Sequence, residues 1–174
     1  MIYLKIIGSL LIVSSTSIMG YCYGKQFSNR LNNLIYLEQC IKILETEIVY
    51  GGTMLNEALT NVYNRGNKKV SFIFEEIKNH LLMDKEVDVY NSFLNVSDSL
   101  KIKLSFKDED IDFFLSLGRV LGSSDRRDQE KNFNLILKQI SFLEDNARLE
   151  KEKNEKMFKG LGILMGLAIV IILL

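Results

Sequence analysis

Residues 117–129 read LGRVLGSSDRRDQ, and this stretch turns the chain from one helix into the next. Before it, from Phe106 to Leu121, apolar residues recur at helical spacing: Ile111, Phe114, Leu115, Leu117 and Leu121. Gly122 then supplies a residue that adopts positive φ without a Cβ penalty, which predicts a helix stop. Ser124 or Asp125 follows with a side-chain oxygen able to cap the first free N–H groups of a new helix. Gly118, Gly122, Ser124, Asp125 and Gln129 are therefore expected to shape a tight helical corner. Arg126, Arg127 and Asp128 lie just beyond it and are the candidates for touching a partner.

Outward from the corner, Asp125 to Lys156 reads as one long helix with Phe133, Leu137, Ile140, Leu143 or Glu144, and Ala147 on a seam. Its last part, ARLEKEKNEK, is nearly all charged and solvated. It runs straight into GLGILMGLAIVIILL, residues 160–174, which carry no charge over about 22 Å of helix. That is short for a bilayer core, but Met157 and Phe158 extend it and Lys159 can snorkel. At the other end, residues 6–23 are uncharged over about 27 Å of helix. A retained anchor is preferred there over a cleaved signal. No A-x-A-like site is present, and Tyr21 before Cys22 makes a poor lipoprotein box.

Between these ends the chain alternates helices and turns. Phe27, Leu31, Leu34, Leu37, Ile41, Leu44 and Ile48 form a narrow stripe, and Gly51–Gly52 stop that helix. Thr53 is expected to cap a short helix reaching Val62, with Glu57 in its first turn. Asn64–Asn67 is a turn. Lys68–Leu82 is a third helix (Val70, Phe74, Ile77, Leu81), and Asp84–Leu100 a fourth (Val89, Phe93, Val96, Leu100). Lys101–Lys107 is a link with some strand-like alternation. Asp108–Leu121 begins with Asp108, Glu109, Asp110 and Asp112, acids that suit the positive end of a helix dipole.

The fold class expected is all-α: a cytoplasmic bundle of about six helices flanked by two transmembrane helices. Its parts are an anchor over 1–24, a bundle over 25–158 and a second span over 159–174. The absence of proline among the 174 residues permits such long helices. Apart from Lys5, every charged residue lies between Lys25 and Lys159. Lys25 and Arg30 follow the first span, and Lys151, Lys153, Lys156 and Lys159 precede the second. The positive-inside rule places the middle in the cytoplasm and both termini across the membrane.

Little in the chain points to chemistry. There are 22 basic and 22 acidic residues, so no general affinity for polyanions is expected. Lys68–Lys69 and Arg126–Arg127 are too short for a nucleic-acid surface. His80 is the only histidine, no GxxxxGK[ST] occurs, and Cys22 and Cys40 lack metal-type spacing. No enzyme activity, metal or cofactor is expected. Gly162 and Gly166 form a GxxxG inside the second span, a spacing that lets two helices approach closely and that chance in a Gly/Leu-rich tail also produces; a homo-oligomer is a candidate assembly.

Three parts of the sequence together resemble the stage III sporulation protein AB family. They are the helix NRLNNLIYLEQCIKILETEIVYGGTMLNEAL, the corner LG-x-x-LG-x-SD-x-x-x-Q, and the end KGLGILMGLAIVIILL. The segment Leu44-Glu45-x-Glu47-Ile48-x-Tyr50 is among the most specific parts. One departure is Met54, where the family often has proline. The resemblance implies a protein of endospore-forming bacteria, in the outer forespore membrane on the mother-cell side. There it would belong to the channel complex linking mother cell and forespore, and be similar to inner-membrane platform proteins of type II secretion and type IV pilus systems. It implies as partners a secretion-type ATPase of the stage III sporulation protein AA type and other membrane components of the channel. The expected function is a non-enzymatic platform coupling that ATPase to the membrane. The alternatives are a simple membrane-tethered scaffold and, behind it, a membrane ligand sensor.

Overall fold

The computed structural model describes residues 2–83, 88–123 and 126–173. Seven α-helices follow one another: α1 (Ile2–Glu45), α2 (Leu55–Arg65), α3 (Lys68–Met83), α4 (Val89–Asn95), α5 (Ser97–Leu104), α6 (Asp108–Ser123) and α7 (Arg126–Leu173). A π-helical turn, Thr46–Tyr50, closes α1. No strand occurs among the described residues. The chain divides into two compact units, Met1–Leu31 with Asn146–Leu174, and Asn32–Asp145.

The second unit is the helical bundle. Leu34, Leu37, Ile41 and Leu44 of α1 are all buried, as the stripe predicts. The next expected member, Ile48, is only half-buried, and Val49 is buried in its place. The π turn is the cause, because its wider ring moves the inward position from i+4 to i+5. Gly51 N–H donates to Thr46 O at 2.9 Å, and Thr53 N–H to Glu47 O at 2.9 Å. Gly52 sits at φ 62°, in the left-handed region that glycine enters freely, so the predicted stop is real.

Thr53 does not cap α2. Its hydroxyl donates to Glu47 Oε2 at 3.1 Å, and Met54 takes the N-cap position without a side-chain bond. Met54 has φ −63°, the value a proline ring imposes, so its backbone at the start of α2 is one that proline could also adopt. α2 and α3 pack closely together, with Gly66 and Asn67 between them. A Cβ at Gly66 would stand 2.8 Å from Cys40 Sγ, so glycine is what lets this turn close over α1. Burial there pushes the Cys40 thiol up to about 12.

The expected fourth helix, Asp84–Leu100, is two helices in the structure, and residues 84–87 lie outside the described ones. α4 ends at Val96, whose φ −93° and ψ 0° leave the helical region. No breaker residue marks the spot; Val96 is buried, and packing turns the chain there. The link expected from Lys101 is helical as far as Leu104. Ser105 then turns it at φ 58°, its N–H donating to Leu100 O. Lys107 N–H donates to Asp110 Oδ2 at 2.9 Å, closing the start of α6. Asp110 is consequently fully buried, whereas Asp108, Glu109 and Asp112 are exposed.

At the corner, α6 continues through Gly122 to Ser123, so Gly122 is helical and not a stop. Gly118 lies one turn further inside α6. Ser124 and Asp125 lie outside the described residues. On α7 the buried stripe is Phe133, Ile136, Ile140, Leu143 and Ala147, with Leu137 half-buried. The expected seam was thus one residue out of phase at a single position.

Candidate interaction surfaces

In the first unit, the start of α1 and the end of α7 pack along small residues. A Cβ at Gly162 would lie 2.7 Å from Thr16 O and 3.0 Å from Gly20 Cα. At Gly166 it would meet Thr16 Oγ1 and come within 2.9 Å of Val13 Cα. The facing surface is Thr16, Gly20 and Gly24, also spaced by four. A Cβ at Gly20 would lie 2.6 Å from Phe158 O, and at Gly24 3.0 Å from Glu155 O. These contacts are largely to backbone, so no rotamer change could relieve them. The structure therefore places Gly162 and Gly166 against α1 of the same chain. The matching small-residue spacing on α1 is visible in the sequence but was not part of the expected site.

Above this seam, Phe158 stacks on Tyr23 and Phe27, with ring centroids 6.3 and 5.8 Å apart. Lys159 reaches Glu155 at 2.7 Å and lies over the Tyr21 ring. Arg30, only 2% exposed, donates from Nη1 to Glu150 Oε2 at 2.8 Å. The outward side chains of this helix pair, among them Leu10, Leu11, Ile18, Leu164, Met165 and Ile171, are apolar and exposed. Two helices here are long and apolar enough to cross a membrane. Only a lipid or protein surround would make so much exposed hydrocarbon favourable.

The seam yields a prediction with an internal control. Gly162→Leu is expected to cost about 1–3 kcal/mol by forcing the helices apart. Gly160→Leu is expected to be silent, since nothing lies within 4 Å of a Cβ there. Melting of the full chain in detergent micelles compares the two, and equal effects would refute the seam.

In the second unit Glu47 is a hub. Its Oε2 accepts from Asn61 Nδ2 at 2.8 Å and from Thr53 Oγ1 at 3.1 Å, and its Oε1 accepts from Arg65 Nη1 at 2.7 Å. One carboxylate therefore ties the π turn to α2. The Asn61 bond foremost, with Thr53 and Arg65, holds the Glu47 carboxyl below its usual 4.5. Its contribution to stability is thus fully present above about pH 4.5 and disappears as pH falls through the lowered value. Glu45 acts oppositely, because burial and the nearby Glu130 raise its carboxyl. We predict that Glu47→Gln destabilises the protein at pH 7 and that the difference from wild type shrinks below pH 4.5. Melting temperatures across pH 3–7 test this, and a constant difference would contradict it.

The remaining expected site residues are dispersed. Gly118 is buried in α6, where a Cβ would stand 2.7 Å from Phe93 Cγ; it serves helix packing and not the turn. Arg126 and Arg127 open α7, Asp128 is exposed in its first turn, and Gln129 is half-buried. No group of three or more His, Cys, Asp or Glu that could hold a metal occurs among the described residues.

Comparison with known proteins agrees with this architecture. The family model of stage III sporulation protein AB matches residues 5–174. Stage III sporulation protein AB of Bacillus subtilis (strain 168) is 31% identical over 176 aligned positions, covering 98% of this chain and 99% of that protein. A solved structure of stage III sporulation protein AB (SpoIIIAB) superimposes with a TM-score of 0.60 at 25% identity, covering 72% of this chain and 98% of that one.

Proposed function

This chain belongs to the stage III sporulation protein AB family, and we propose that it serves sporulation as a non-enzymatic membrane platform. In this reading the bundle lies in the mother-cell cytoplasm at the outer forespore membrane, with both termini across the bilayer. It couples a secretion-type ATPase to the channel between mother cell and forespore. The observation that supports it is the continuity of α1 and α7. Each runs without a break from an apolar segment into the bundle's buried stripe, α1 over 44 residues and α7 over 48. A helix of that length transmits a push or a tilt, which a flexible tether would absorb.

Arg126 and Arg127, at the first turn of α7, are the residues through which the ATPase would act on that helix. The test is co-purification of the full chain with the secretion-type ATPase from sporulating cells. Wild type is expected to retain the ATPase, and Arg126→Glu/Arg127→Glu to lose about tenfold of it. No retention by wild type would leave only the tethered scaffold. Equal retention by the charge-reversed chain would move the contact elsewhere.

A further inference from the structure

We propose that the outward face of α7 around Lys131, Leu135, Lys138 and Phe142 docks an amphipathic helix of a partner protein, with acidic residues set against the two lysines. The four positions are spaced four, three and four apart and share one side of the helix, away from the buried Phe133, Ile136, Ile140 and Leu143. Phe142 is 65% exposed and Leu135 is 51% exposed. The other described phenylalanines are buried or half-buried, which sets Phe142 apart from a scattered surface apolar residue.

The charges indicate what covers this face. Lys131 and Lys138 are exposed and, among the described residues, have no acidic partner. A shallow groove runs beside Leu135, lined by Glu130, Lys131, Asn134, Leu135 and Lys138. Glu130 faces Glu45 electrostatically, and Asp145 stands one turn beyond Phe142. The basic stretch therefore ends at both sides, and the partner's acids are called for over Lys131 to Lys138 only. Apolar anchors seven residues apart with a charged rim are how one helix lies on another, and the rim decides which helix.

A second copy of this chain fits poorly. Two α7 helices ending in one bilayer would run parallel, setting Lys131 against Lys131 and Lys138 against Lys138. The inference goes beyond the platform reading and does not depend on which protein the partner is.

The experiment places the photo-crosslinking residue p-benzoylphenylalanine at Phe142, or at Leu135, in the full chain in sporulating cells. Ile102, 81% exposed on α5, is the control position. The adduct is expected to map to a protein segment with helical apolar spacing and Asp or Glu beside it. Lys131→Glu/Lys138→Glu is expected to lower its yield about tenfold at unchanged melting temperature. Yield no higher than at Ile102 would overturn the proposal. So would adducts to lipid, to a second copy or to a segment without acids, or yield indifferent to the charge reversal.

Discussion

Phe93→Ala is expected to lower the stability of the bundle by about 3–5 kcal/mol, the cost of emptying a fully buried aromatic site. Phe93 is 0% exposed, and its ring centroid lies 4.8 Å from that of Phe114, which meets Phe74 edge-on at 6.3 Å. α4 has only seven residues, too few to persist as a helix alone, so this anchor holds it in place. Gly118, one turn along the same face of α6 from Phe114, meets the Phe93 side chain. Gly118→Ala therefore overpacks the contact that Phe93→Ala empties, at about 1–3 kcal/mol. The double variant should cost less than the sum, because losing the ring removes the 2.7 Å contact with Phe93 Cγ, although the Cβ that alanine keeps, at 2.9 Å, still crowds the added methyl. Melting of the full chain in micelles measures all four forms. Additive costs, or a loss below about 1 kcal/mol for Phe93→Ala, would show that α4 is held by something else.

Glu150→Ala is the second large effect, expected toward the lower end of the roughly 3–5 kcal/mol seen when one partner of a buried ion pair is removed. The two sides of this pair are unequal. Arg30 is 2% exposed, whereas the Glu150 side chain is 31% exposed. Removing the carboxylate takes an ionic partner from a guanidinium that water cannot reach. Removing the guanidinium leaves a carboxylate that water can. Arg30→Met also keeps much of the buried volume, so it should be milder, and Arg30→Met/Glu150→Met milder than Glu150→Ala. The measurement is melting of the full chain, with heat-resistant spore titre beside it. If Arg30→Met proves the more damaging, the arginine's packing and its other contacts outweigh the pair.

The all-helical class was legible because it rests on sums over many residues. Missing proline, repeated apolar spacing and two uncharged ends each survive an error at any single position. The stripe from Leu31 to Leu44 and the stop at Gly51–Gly52 were read correctly for the same reason. The failures are all matters of phase or contact. Ile48 gave way to Val49 because Glu47, bonded to Thr53, Asn61 and Arg65, stands in a wider turn. Leu137 gave way to Ile136 because either residue satisfies an apolar pattern, and neighbouring positions differ by about 100° around a helix.

The glycines show the same division. Gly118 and Gly122 were read as turn residues from their conformational freedom. In the fold Gly118 is there for its missing side chain, which leaves room for Phe93. The spacing of Thr16, Gly20 and Gly24 carried the signal of a helix seam, but a lone helix gives no reason to prefer it over chance. Only the facing Gly162 and Gly166 supply that reason.

By itself, then, the sequence determined the all-helical class and most of the helices, which two segments suit a membrane and which family the chain resembles, since these follow from composition, short-range periodicity and quoted motifs. The tertiary structure alone decided the phase of the buried face at Val49 and Ile136, where Val96 breaks a helix and what the glycines are for. Those outcomes depend on the residue across the contact, which lies distant in the chain and leaves no mark on the local pattern.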